Sequence, residues 1–126
     1  EHPYKQVRIN NAYENTRRCL KALKQNDFSS LGEIIEAEAL ELHALMMTSK
    51  PSVWLMKPKT LELMEWTRKM RAQGLEVYFT LDAGANIHLI SRLKDQKQLS
   101  QQIDHDFSEL NYIIDEQGSG AELIYE

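Results

Sequence analysis

The stretch LEVYFTLDAGANIHLI, residues 75–90, decides the fold. Leu75, Val77, Phe79 and Leu81 alternate with Glu76, Tyr78, Thr80 and Asp82. A period of two over eight residues predicts a strand with one face on a core. Ile87 to Ile90 predicts a second strand, and the five residues from Asp82 to Asn86 between them suit an antiparallel hairpin loop. The alternation puts Asp82 on the face of Tyr78 and Thr80, where strand gives way to turn. Ala83, Gly84 and Ala85 keep that turn thin, so backbone N–H groups or a ligand can come close. Asn86 adds a neutral donor and acceptor. Two readings stand side by side. Asp and Gly within a hairpin loop are common turn chemistry, the reading that spacing alone favours; the other is a catalytic site, with the carboxylate held at a strand end to meet one reacting group.

Working outward, helical spacing takes over. Upstream, Ile9, Ala12, Tyr13, Thr16, Leu20 and Leu23 recur with a helical period. Asn26-Asp27 stops that helix and offers a cap for the next, with Ser30 and Glu33 as a candidate capping box. The second helix carries Leu31, Ile34, Ile35, Leu42, Leu45 and Met46 on one face and ends at Thr48-Ser49-Lys50-Pro51. Residues 52–56 are apolar and fit either element. Pro58 suits the first turn of a third helix, with Leu63, Trp66, Thr67 and Met70 as its buried side and Gly74 as its stop. Downstream, residues 92–103 read as a polar helix. Tyr112, Ile113 and Ile114 suggest a further strand, closed by Gly118-Ser119-Gly120. The fold class is therefore α+β, helices packed on a small antiparallel sheet.

The 126 residues make one domain, 1–126, with 42 % apolar and 27 % charged residues. Fifteen basic against 19 acidic residues give a net charge of -4, with no basic excess to recruit phosphate backbones, so nucleic acid is not an expected partner. No apolar run approaches the roughly 20 residues of a spanning helix, so no membrane is expected either. A single Cys19 cannot pair internally and suits a reducing, cytoplasmic setting. With no initiator Met, the chain reads as an excised domain.

Other constellations are weaker. Glu38 interrupts the apolar stripe of the second helix, and a carboxylate on a packed face needs a partner or a wet pocket. Glu33, Glu36 and Glu41 lie off that stripe, and His43 flanks it. Glu38 and His43 are five apart, not the i, i+4 pair of a helical metal site. Asp104-His105-Asp106 lacks a fourth ligand and reads as a solvated bend, so no metal site is assigned. Cys19 and the methionines read as core filler.

The run Tyr78-Phe79-Thr80-Leu81-Asp82-Ala83-Gly84-Ala85-Asn86 resembles the aspartate-bearing DAGPN segment of diphosphomevalonate decarboxylases, members of the GHMP kinase superfamily. Glu38-Ala39-Leu40-Glu41-Leu42-His43-Ala44 followed by Pro51 looks like that family's acidic helix before a Pro-containing loop. Ile113 to Gly120 looks like its late strand and Gly-Ser-Gly turn. The resemblance covers roughly Asn11 to Gly120. Ala85 stands where the family usually has Pro. Glu38 stands where many relatives have Asp, without the neighbouring Ser-Asn pair.

The resemblance implies a ferredoxin-like C-terminal domain of a two-domain enzyme, with one sheet strand supplied from upstream. The enzyme would use ATP and Mg²⁺, bound mainly by an N-terminal domain, to phosphorylate and then decarboxylate mevalonate diphosphate. Asp82 matches the essential aspartate; Ala83, Gly84, Ala85, Asn86 and His43 would line the substrate side. The N-terminal domain and a second copy of the chain, as a homodimer, are the implied protein partners. The fragment alone is expected to be inactive. Two alternatives remain: a kinase relative that stops at phosphorylation, and a non-catalytic ferredoxin-like binding module.

Overall fold

The computed structural model describes residues 2–120. The elements run α1 (Lys5–Lys24), α2 (Phe28–Met47), α3 (Pro58–Ala72), β1 (Val77–Leu81), β2 (Ile87–Ser91) and α4 (Leu93–Asp106). The expected α+β class, helices on a small antiparallel sheet, is the one found. The hairpin pairs antiparallel with Phe79 opposite Leu89 and Leu81 opposite Ile87, so the five-residue loop falls where the alternation put it. Pro58 opens α3, and Gly74 follows its end at φ 98°, a conformation that favours glycine.

Strand β1 lies at the centre of the packing. Val77, Phe79 and Leu81 are buried. Val77 joins Trp66 and Met70 of α3, Leu99 and Ile103 of α4, and Phe107. Phe79 and Leu81 meet Ala39 of α2 and Met64 of α3. Tyr78, expected on a more polar face, is also buried. Its ring packs edge-on to Phe28 and beneath the Arg71 guanidinium, 4.4 Å from the centroid, while its hydroxyl meets Ser29 Oγ at 3.1 Å.

Helix α2 runs along β1 in the same direction, and its side chains meet the strand in ascending order. Gly32 lies against the Tyr78 ring. Glu36 accepts the Phe79 N–H at 3.1 Å, Ala39 packs on Phe79 and Leu81, and His43 reaches Asp82. This line is spaced four, three and four residues apart. It is not the apolar stripe read from the sequence, because α2 has α1 as a second neighbour. The spacing puts Glu36 off the apolar stripe. It is instead buried and held bidentate by Arg71, at 2.7 and 3.0 Å. Arg71 also donates to the Val77 carbonyl at 2.9 Å. Bonded to Phe79 N–H and Val77 C=O, the two side chains cover the outer edge of β1.

Helix α1 forms where the spacing places it, but its recurring apolar residues stay largely exposed: Tyr13 by 74 %, Leu20 by 55 % and Leu23 by 59 %. The seam with α2 is largely polar. Arg8 binds Glu38 in two places, at 2.6 and 3.2 Å, Asn15 donates to Glu38 at 2.7 Å, and Asn11 donates to Glu41. Burial pushes the Glu38 carboxyl up, but hydrogen bonds from Asn15 and Arg8 outweigh it and leave the group below its ordinary value. The partner that an interrupting Glu38 requires is thus on α1. Cys19 is only half-buried. Met64 and Met70 are core residues, whereas Met47 is exposed.

Three further expectations are corrected. Asp27 caps α2 as the sequence predicts, its side chain accepting the Ser30 N–H at 3.0 Å. Ser30 is already inside the helix, so the Ser30–Glu33 capping box does not form. Residues 112–114 form no strand; Ile113 is 93 % exposed, because three β-prone residues without an adjacent edge have nothing to pair with. Asp104-His105-Asp106 is the last turn of α4, not a bend. Asp106 accepts the Trp66 indole N–H at 2.7 Å and ties α4 to α3. Hydrogen bonds from His105, then Trp66 and Gln102, hold the Asp106 carboxyl at about 2.

Two predictions follow from this packing. A Cβ at Gly32 would lie 2.1 Å from the Tyr78 ring, too close to accommodate without movement. Alanine usually favours a helix over glycine by about 0.5–1 kcal/mol. Here overpacking, of order 1–3 kcal/mol, wins, and Gly32→Ala lowers the urea midpoint. For Asp106 the folded value lies below the ordinary 3.8. Its contribution is therefore present above about pH 4 and lost as the pH falls toward 2. In a Trp54→Phe background, Trp66 fluorescence changes across that window, and Asp106→Asn removes the change.

Candidate active site

Beyond the last residue of β1 the chain turns sharply outward. Asp82 follows the buried Leu81, yet its own side chain is 94 % exposed. His88 on β2 places its Nε2 3.8 Å from Asp82 Oδ2. In the hairpin register His88 sits opposite Thr80, two residues before Asp82, so counting outward from the loop could have found it.

The backbone of the loop is held from below. The Asp82 carbonyl accepts the Gly84 N–H at 2.8 Å and lies 2.9 Å from His43 Nε2. A carbonyl only accepts, so Nε2 carries the proton and the contact fixes the ring's orientation. His43, expected toward the substrate, is 2 % exposed and sits beneath the loop. At the far end Thr60 Oγ1 donates to the Ala85 carbonyl at 2.7 Å and accepts the Lys57 N–H at 3.1 Å. Thr60 is buried at the start of α3 and gave no signal in the sequence beyond its place in a first turn. Asp82, Ala83 and Asn86 face solvent; Gly84 and Ala85 are half-buried.

Gly84 is informative. Its φ lies outside the left-handed region, and a Cβ there would meet no atom within 4 Å. Neither backbone geometry nor a neighbouring side chain within the described residues requires glycine. The open space beside it adjoins Asp82.

The other candidate groups do not converge here. Glu38 and Glu41 are engaged with α1. Burial, then the charge of Glu38, raises the Cys19 thiol and disfavours a thiolate nucleophile. Among the described residues no group of three or more His, Cys, Asp and Glu is placed to hold a metal. No described helix is long and apolar enough to cross a membrane. Concavities of about 410 and 250 Å³ lie around the C-terminal end of α1, and none of residues 82–86 lines them.

An α+β domain presenting one exposed carboxylate on a hairpin loop is the class of module defined here. The chain belongs to the family described as the mevalonate 5-diphosphate decarboxylase C-terminal domain, whose model matches residues 3–122. The mevalonate diphosphate decarboxylase from Enterococcus faecalis is similar in structure, with a TM-score of 0.81 and 31 % identity over 86 % of this chain and 34 % of that one. The structure of MDDEF in complex with MVAPP, AMPPCP and magnesium gives the same TM-score and identity, over 86 % of this chain and 33 % of that one. A phosphomevalonate decarboxylase from Haloferax volcanii is 34 % identical over 70 residues, 54 % of this chain and 21 % of that protein. The chain thus spans about a third or less of the length of these relatives.

Proposed function

We infer that this chain is the substrate-side, C-terminal domain of a two-domain, ATP-dependent decarboxylase acting on mevalonate diphosphate. The observation that carries the reading is the exposed Asp82 carboxylate at the end of a largely buried strand, beside open space at Gly84. An alcohol is a poor nucleophile. A fixed carboxylate can orient the tertiary 3-hydroxyl or accept its proton as the phosphate bond forms. The same anion can stabilise positive charge that develops as phosphate and then carbon dioxide leave to give isopentenyl diphosphate. Ala83, Gly84, Ala85 and Asn86 line the approach, and Gly84 leaves room for the substrate.

The described residues do not fit a site for nucleotide and Mg²⁺ on their own. They contain no acidic cluster for the metal, and the sequence has no glycine-rich phosphate loop. Those groups belong in this reading to the rest of the polypeptide, so the isolated chain does not turn over substrate. The enzyme acts in the cytoplasm, a location that suits the unpaired Cys19. The exposed stripe on α1 gives apolar surface to the larger assembly, whether N-terminal domain or second copy.

A second reading concerns the phosphate count. The curated relative is a phosphomevalonate decarboxylase, so the monophosphate is the competing substrate. Carbon dioxide release from each substrate, with ATP and Mg²⁺, separates the two in the full-length parent. Asp82→Asn is expected to lose about 100- to 10,000-fold in turnover, the usual span of acid–base catalysis. Phosphorylation without gas release would identify a kinase relative, and unchanged turnover in Asp82→Asn would leave Asp82 as turn chemistry. Gly84→Ala is expected to fold like the wild type and raise the KM for the mevalonate substrate, checked by unfolding midpoint and steady-state kinetics.

A further inference from the structure

The loop that carries Asp82 is fixed by two buried side chains from two different helices. His43 on α2 meets the carbonyl of Asp82 itself at 2.9 Å. Thr60 on α3 donates to the carbonyl of Ala85 at 2.7 Å. The first bond closes one end of the turn and the second closes the other, so the backbone between them cannot tilt without breaking one. Both residues are nearly solvent-free, at 2 % and 3 % exposure, and Ala39 and Met64 of the same two helices pack on Phe79 and Leu81. Hydrogen bonds in such surroundings are costly to leave unmade and strongly directional. The Asp82 carboxylate makes no comparable contact. Its neighbour His88 is exposed and 3.8 Å away. Its position therefore comes through its backbone.

We propose that His43 and Thr60 are positioning residues, which set where the Asp82 carboxylate stands by clamping the two ends of its loop. This rests on the reading of Asp82 as the catalytic group. Neither side chain touches substrate; each acts through a carbonyl. A shift of about 1 Å in a reacting group can cost on the order of 100-fold in rate, which sets the scale of the effect.

The test uses the full-length parent and five variants: Asp82→Asn, Thr60→Val, Thr60→Ser, His43→Asn and His43→Gln. Valine keeps the shape of Thr60 without the hydroxyl, and serine restores the hydroxyl. Asparagine is too short to reach the Asp82 carbonyl, whereas glutamine places an N–H near the position of Nε2. Thr60→Val and His43→Asn are expected to lower kcat about 10- to 100-fold with the KM for ATP within twofold. Thr60→Ser and His43→Gln are expected to recover most of that loss. Hydrogen exchange provides a second measure, faster in residues 82–86 of the two disabling variants and unchanged in residues 77–81. If one disabling variant fails to fold, the other and its rescuing partner decide the question by the same two measures. Full kcat in the disabling variants, with Asp82→Asn inactive, would overturn the clamp and leave the catalytic reading intact. Equal loss in the disabling and rescuing variants would also overturn it. Wild-type turnover in Asp82→Asn would overturn the catalytic reading, and the clamp with it.

Discussion

The carboxylate of Glu36 is the junction on which the other contacts depend. Buried, it would carry a heavy desolvation cost if left alone. It is not alone: Arg71 of α3 binds it through two nitrogens, and the backbone of β1 donates to it from Phe79. One side chain thus joins α2, α3 and β1. Removing it would leave the Arg71 guanidinium without its counter-charge and the Phe79 N–H without its acceptor, a far larger loss than the loss of a surface pair. Because the pair fixes α2 and α3 against the same strand, it also fixes where each helix ends relative to the Asp82 loop.

The two helices pass β1 in opposite directions. Along α2 the contacts climb from Tyr78 at Gly32 to Asp82 at His43. Along α3 they descend from Ala85 at Thr60 to Val77 at Arg71. The late turns of one helix and the first turn of the other therefore arrive at the same loop. The arrangement gives the exposed Asp82 position a buried foundation, which is how a loop can present a side chain to solvent from a fixed backbone.

The hairpin was legible because its signal is local: period two, a short loop, and then period two again. Helix α3 was legible for the same reason, with Pro58 and Gly74 marking its ends. What the sequence concealed was pairing between polar groups. Glu36 looks like a solvent residue when helices are judged by apolar spacing, since nothing local reveals Arg71 from 35 residues away. Helix α1 shows the converse. Its apolar residues recur at helical spacing yet stay largely exposed, while Arg8, Asn11 and Asn15 pack inward against Glu38 and Glu41. The Asp82 carboxylate was legible as a candidate. The supporting role of Thr60 and His43 beneath it was not, although His43 stands out as a residue, because both act on backbone carbonyls, which leave no mark in sequence.

The capped edge of β1 has one further consequence. In an antiparallel pair the backbone groups of opposed residues point either toward each other or both away. Phe79 turns its N–H outward to Glu36, so its partner Leu89 turns its own backbone groups outward on the opposite side. Ile87 and Ser91 share that orientation with Leu89. The sheet is thus a one-sided template: extension past β1 is blocked by Glu36 and Arg71, and any additional strand, from whatever source, must zip onto β2.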